Sequence, residues 1–96
     1  MSLRFEWDEA KSVANLNKHG VSFDEAQTVF GDPDAITLLD DRHSDVEDRF
    51  IDIGKSASGR ILVVAENDMR IRIISCRRAT PKERRQYERR DGETTR

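Results

Sequence analysis

The chain reads as an α+β domain in which two N-terminal helices pack on a four-stranded antiparallel meander and a C-terminal helix follows. Three observations predict it. Two short segments near the start carry helix caps and are each stopped by a glycine, four later runs have strand-like patterning with short polar links, and a T-P-K-E signature opens a last helix. With 96 residues there is room for a single domain, residues 1–96, and one core. Only 35% of residues are hydrophobic and 38% are charged, so the apolar side chains have to be concentrated on a few elements to offset the ordering entropy.

Asp8 stands before E-A-K-S-V-A-N-L-N-K-H and Gly20 after it, which marks a helix of about three turns. Ala10, Val13 and Ala14 fall at helical spacing and predict its buried stripe. Trp7, just ahead of the cap, is expected to plug the edge of the core. Lys18 and His19 occupy the last turn, where the helix dipole favours a cation.

The second helix begins at Ser22, with Glu25 completing an S-x-x-E capping box and Val21 and Ala26 at the two staple positions. Phe23, Ala26, Val29 and Phe30 predict its buried stripe, and Gly31 with Asp32-Pro33 stops it. Two short helices joined by a tight glycine turn form an αα-hairpin with a stripe available for a sheet.

Residues 35–40 alternate weakly and open the strand region. Residues 49–53 place Phe50 and Asp52 on one face and Ile51 and Ile53 on the other. Residues 60–65 are continuously apolar after Arg60, the pattern of a central strand buried on both faces. In residues 70–76, Ile71, Ile73 and Ser75 fall on one face and Arg70, Arg72, Ile74 and Cys76 on the other. An acidic turn at 41–45, a K-S-A-S loop within 54–59 and a turn at Asn67-Asp68 link them, and such short links favour antiparallel neighbours.

Thr80 as N-cap, Pro81 at the first helical position and Glu83 three residues after the cap start the last helix. It is expected to end near residue 90 with a frayed tail from Asp91, and to be anchored by Tyr87, its one apolar residue. Arg77 and Arg78 therefore fall at a strand-to-helix junction.

Charge is segregated along the chain. Residues 70–90 hold nine Arg or Lys against two Glu, while residues 22–52 hold ten Asp or Glu against two Arg, inside a formal net charge of −2. The two segments either neutralise each other side by side or form two surfaces, a basic one for a polyanion and an acidic one for a basic protein. One cysteine excludes an intrachain disulfide, and the start of the chain has no apolar run of signal-peptide length. The longest apolar run, residues 61–65, is far too short to cross a bilayer, so a soluble cytoplasmic protein is expected.

Several chemistries find no support. Asp40, Asp41, His43, Asp45, Glu47 and Asp48 cluster within nine positions, but the run lacks the central glycine of a calcium loop and reads as a solvated acidic turn. No metal or other cofactor is expected. Cys76 has no C-x-x-C partner and reads as a buried structural thiol, and there is no glycine-rich phosphate loop. The basic segment remains, with eight Arg to one Lys; a guanidinium fork engages two phosphate oxygens at once, which points to a nucleic-acid backbone. Composition leaves DNA binding, RNA binding and RNA cleavage open.

Six blocks in order carry a resemblance. F-E-W-D-E-A-K near the start, N-x-x-K-H-G-V-S-F-D-E-A at 15–26, F-x-D-P at 30–33, D-I-G-K-S at 52–56, G-R-I-L-V-V at 59–64 and R-I-I-S-C-R-R-A-T-P-K-E-R at 72–84 together resemble the BrnT family of type II toxins. That resemblance implies a RelE-like fold, a bacterial ribonuclease that arrests growth, and a BrnA-like antitoxin with a ribbon-helix-helix part, the complex repressing its own operon through operator DNA. The family's K-H-G falls on Lys18, His19 and Gly20, its G-R on Gly59 and Arg60, and its R-R on Arg77 and Arg78.

The expected reaction is metal-independent RNA cleavage by attack of a 2′-OH on the adjacent phosphate. Arg77 and Arg78 are expected to stabilise the phosphate, both together only if the strand has ended before them, with Arg60 assisting. Lys18, Lys82, Arg84 and Arg85 are expected to hold RNA backbone. His19 is the proton donor or acceptor by its ordinary titration range, or else a helix-end residue. Glu83 is expected to complete its capping box. The chain departs from the family pattern in going directly from Val64 through A-E-N-D-M to Arg70, a shortened hairpin. Two functional classes thus stand: a ribonuclease toxin, or a catalytically silent module that pairs with an antitoxin and contributes to autorepression.

Overall fold

A computed structural model describes residues 5–40, 49–67 and 71–94, with side chains through residue 89. The described elements run β1 (Phe5–Glu6), α1 (Glu9–His19), α2 (Phe23–Gln27) continued by a 3₁₀ turn (Thr28–Gly31), β2 (Ile36–Leu39), β3 (Arg49–Lys55), β4 (Ile61–Asn67), β5 (Ile71–Arg78) and α3 (Pro81–Thr94). The acidic turn expected at 41–45 lies outside the described residues, and of the turn expected at Asn67-Asp68 only Asn67, the last residue of β4, is described.

The α+β class stands, but the sheet is not a four-stranded antiparallel meander. Among the described residues it has five strands in the order β1-β5-β4-β3-β2. β2 to β5 pair antiparallel in succession, while β1 joins β5 in parallel, with Phe5 opposite Ile71 and Glu6 opposite Arg72. Two residues have no period to read, so β1 left no trace in the sequence pattern. The helices expected first in the chain therefore follow a strand, and the second is a five-residue helix that tightens into a 3₁₀ turn.

α1 has the predicted ends. The Asp8 carboxylate accepts from the Ala10 and Lys11 amides at 2.8 and 3.2 Å, and Gly20 closes the helix at φ 72° with its amide on the Leu16 carbonyl. Its buried side, however, is polar. Ser12 and Asn15 are buried, whereas Ala10, Val13 and Ala14 are exposed. The reason lies at the edge of β5, because β1 reaches only to Arg72. Beyond it, Asn15 gives hydrogen bonds to the carbonyls of Cys76 and Val21 at 2.8 and 2.9 Å and accepts from the Cys76 amide at 3.2 Å. Ser12 Oγ accepts from the Phe23 amide at 3.4 Å. Satisfying buried backbone groups decides the face of this helix, ahead of its apolar residues.

The predicted stripe of the second helix is buried at Phe23, Ala26 and Val29, and half-buried Phe30 meets Phe5 at 5.2 Å between ring centres. Trp7 packs edge-on against Phe23 and donates its indole N–H to Glu9. This side of the sheet carries the larger core, in which Val21, Phe23, Ala26 and Val29 meet Leu62, Val64, Ile73 and Cys76. Gly54 makes that approach feasible: a Cβ there would lie 2.8 Å from Ala35 Cβ and 2.9 Å from Val29 Cγ1.

The other side holds Ile53, Val63 and Tyr87, so β4 feeds both cores as its unbroken apolar run predicted. α3 lies here. It extends to Thr94, past the end expected near residue 90, and Tyr87 anchors it with a hydroxyl bond to Asp32 at 2.7 Å. The expected faces of β5 also change. Ala65 pairs with Ser75 but Glu66 with Ile73, so Ile74 is an extra residue, and the bulge brings Ile73 and Cys76 into the same core.

Candidate functional site

At the end of the sheet where β4 begins and β5 ends, a recess of about 180 Å³ is lined by Gly59, Arg60, Ile61, Arg78, Ala79 and Arg84. The local sequence builds it. Gly59 takes φ 89°, a conformation glycine adopts readily, and closes the β3–β4 turn with its amide on the Ser56 carbonyl. The Ser56 amide in turn bonds the Arg60 carbonyl at 2.8 Å, which fixes Arg60 at the mouth of β4. The Ala79 amide on the Ile61 carbonyl, at 2.9 Å, carries the pairing of β4 and β5 past Arg78.

Arg60 is pinned by Glu25. Its Nε donates to Oε2 at 3.0 Å, a terminal nitrogen forms an ion pair with Oε1, and the same nitrogen donates to the Gly20 carbonyl at 3.1 Å. The Glu25 carboxylate also accepts from Ser56 and Ser58 hydroxyls at 2.7 and 2.5 Å. The Arg60 hydrogen bond, against an opposing effect of burial and with help from Ser58 and Ser56, lowers its pKa to about 2, and Arg60 itself is held more firmly protonated. The Gly20 carbonyl, in the turn between the first two helices, and Glu25 thus meet the β3–β4 loop at this ion pair.

Arg77 and Arg78 part company. β5 includes both, and they stand opposite Val63 and Leu62, which face the α3 core and the larger core respectively. Arg78 is exposed and lines the recess. Arg77 is on the other face, where its guanidinium donates to both oxygens of Glu83 at 2.7 and 2.8 Å and to the Arg78 carbonyl at 3.3 Å. Glu83 meanwhile accepts from the Thr80 amide and gives its own amide to Thr80 Oγ1, the two halves of the capping box. Arg77 above all, opposed by burial and helped by the Thr80 amide, holds the Glu83 pKa at about 2. The condition for both arginines to reach one phosphate is not met, because the strand does not end before them, and Arg77 is the one that binds within the fold, at the start of α3.

The remaining predicted residues are placed as follows. Arg84, on the first turns of α3, joins Arg60 and Arg78 at the recess. Lys82 and Arg85 are exposed on α3 and do not line it, and Lys18 is exposed on α1. His19 is half-buried at the end of α1, next to the Gly20 carbonyl that Arg60 engages, and does not line the recess. Glu25 was read only as half of a capping box. Ser22 does accept from the Glu25 amide, but the carboxylate turns to Arg60, 35 positions away, a pairing no local pattern announces.

Cys76 is buried, and burial pushes its thiol pKa up to about 12 against a lowering by the Asn15 hydrogen bond, far from a nucleophile's range. Among the described residues no three His, Cys, Asp or Glu side chains gather as a metal set, and no helix is long and apolar enough to cross a membrane.

Comparison with known proteins bears on the family and the fold. No curated protein matches the chain. The crystal structure of the Brucella abortus ribonuclease toxin, BrnT, is similar at a TM-score of 0.62, with 23% identity over 82% of this chain and 99% of that one, and so shares the fold. The family model for the ribonuclease toxin BrnT of type II toxin-antitoxin systems matches residues 7–83, a span that contains the Glu25–Arg60 pair, Arg78 and the Arg77–Glu83 pair. The chain belongs to the BrnT family of ribonuclease toxins of type II toxin-antitoxin systems.

Proposed function

We propose that this chain is a metal-independent endoribonuclease that binds a phosphodiester at the Arg60–Arg78–Arg84 recess. One observation carries the reading. Three guanidinium-bearing side chains line a single recess, and of these Arg78 and Arg84 have no carboxylate partner among the described residues. Uncompensated guanidinium groups converging on one concavity favour an anion with several oxygens.

In the proposed reaction a ribose 2′-OH loses its proton and its oxygen attacks the adjacent phosphorus. The bond to the 5′-oxygen of the next nucleotide breaks, that oxygen takes up a proton, and a 2′,3′-cyclic phosphate remains. Arg78 and Arg84 stabilise the added charge on the phosphorane, and Arg60, held by Glu25, fixes its position. His19, beside Gly20, takes the 2′-OH proton or gives one to the leaving 5′-oxygen, with water as the other proton partner, while Lys18, Lys82 and Arg85 hold flanking backbone. The protein acts in the cytoplasm on RNA. A BrnA-like ribbon-helix-helix antitoxin neutralises it and takes the complex to operator DNA.

A second reading, a catalytically silent module that only pairs with an antitoxin, is favoured by the withdrawal of Arg77 to Glu83. Induction of the chain in a bacterium separates the two. Wild type is expected to arrest growth and Arg78→Ala to relieve the arrest, with a loss of about a hundredfold in cleavage. If folded wild type and Arg78→Ala cultures grow alike, the ribonuclease reading fails for this chain.

A further inference from the structure

The chain passes from β5 into α3 through a two-residue link, Ala79 and Thr80. The bonds on either side of that link divide it. Ala79 belongs to the sheet, because its amide donates to the Ile61 carbonyl at 2.9 Å. Thr80 belongs to the helix: its amide donates to the Glu83 carboxylate at 2.8 Å, its Oγ1 accepts from the Glu83 amide at 3.2 Å and its carbonyl accepts from the Arg84 amide at 2.8 Å. The step from Ala79 to Thr80 is therefore a joint between two well-held halves. Beyond it α3 is anchored at Tyr87, and a helix attached at two points can still turn about the line that joins them.

Arg77 spans this joint. Its two terminal nitrogens donate to the two oxygens of Glu83 at 2.7 and 2.8 Å, and one of them also to the Arg78 carbonyl at 3.3 Å. Two parallel bonds fix orientation as well as distance, which a point contact does not. Each member of the pair is next in the chain to a recess arginine: Arg77 precedes Arg78 on β5, and Glu83 precedes Arg84 on α3. Neither member lines the recess itself.

We propose that Arg77 and Glu83 are positioning residues: the pair locks the first turn of α3 against the end of β5 and so sets the separation at which Arg78 and Arg84 meet one phosphate. Two cations carried by separate elements stabilise the same developing charge only if their separation is fixed before the reaction, and a displacement of about 1 Å can cost about a hundredfold in rate. This rests on the reading that the recess cleaves RNA. It gives Arg77 a task in the reaction without contact to the substrate.

Cleavage of RNA by the full chain is measured at varied substrate concentration for wild type, Arg77→Ala, Glu83→Gln and the double variant, each confirmed folded by its urea unfolding curve. Both single substitutions spare the capping box, since Thr80 and the amide of residue 83 are untouched and a glutamine oxygen still accepts from the Thr80 amide. Each is expected to lower kcat about tenfold with KM within about twofold of wild type, and the double variant to lose no more than about twofold beyond the larger single loss. A pair that served stability alone would leave kcat per folded molecule unchanged, and that result overturns the proposal. So does faster cleavage by Glu83→Gln, which would make Arg77 a catalytic group that Glu83 restrains. Losses that multiply in the double variant, or a loss confined to KM, overturn it as well. If wild type itself does not cleave, the ribonuclease reading fails and this proposal with it.

Discussion

Arg60, Arg77 and Arg78 carry the same side chain and have three different surroundings. Arg60 is held by a carboxylate and still lines the recess, Arg77 is held by a carboxylate on the other face of the sheet, and Arg78 lines the recess without one. All three were candidates before the fold was known, Arg77 and Arg78 from the strand-to-helix junction and the family's R-R and Arg60 from its G-R, but which carboxylate each meets is a tertiary fact. The Glu25 contact makes a sharp prediction. Glu25→Gln keeps the shape and removes the charge, and with Arg60 partly exposed the expected loss of stability is about 2 kcal/mol in urea unfolding. The pH dependence has a definite sign. Glu25 has its pKa lowered from 4.5 to about 2, so its contribution is full above the unfolded value and is lost as pH falls through the folded one. Wild type is therefore expected to lose more stability than Glu25→Gln between about pH 5 and about pH 2; parallel curves would show that the carboxylate contributes nothing.

Elements were legible to the extent that their signals are local. The caps at Asp8, Ser22 and Thr80, the glycine stop at Gly20 and the doubly buried β4 are all where short-range rules place them. The buried face of α1 was not legible, because Asn15 faces inward to satisfy Cys76 and Val21, and that need arises only once β5 lies beside the helix. β1 and the Ile74 bulge were hidden for the same reason: each is defined by a partner strand. α3 shows how little apolar contact holds a basic helix. Tyr87 supplies its core contact and its hydroxyl reaches Asp32, which also accepts from the Lys55 and Asp34 amides. Tyr87→Phe is expected to cost about 1 kcal/mol and Tyr87→Ala about 3 kcal/mol or more in thermal or urea unfolding. The alanine variant is also expected to lose RNA affinity, since Arg84 is carried by α3. An alanine variant as stable as wild type would mean that the helix is held by something else.

Across the whole molecule, the charge segregation seen in the sequence takes on a spatial meaning. The basic stretch supplies Arg78 and Arg84 to a recess at one end of the sheet, and the acidic stretch contains both the edge strand β2 and Glu25, which crosses over to hold Arg60. Neither full neutralisation nor complete separation describes the result. The family and its fold were legible from six short blocks, whereas the composition of the recess required the pairing of β4 with β5 and the return of α3. The measurement that most directly tests this account is cleavage of RNA by the purified chain in excess EDTA, compared with Arg78→Ala of equal foldedness. The expected result is metal-free cleavage leaving 2′,3′-cyclic phosphate ends, slowed about a hundredfold in the variant. Cleavage that requires an added divalent cation, or that Arg78→Ala performs at the wild-type rate, would contradict it.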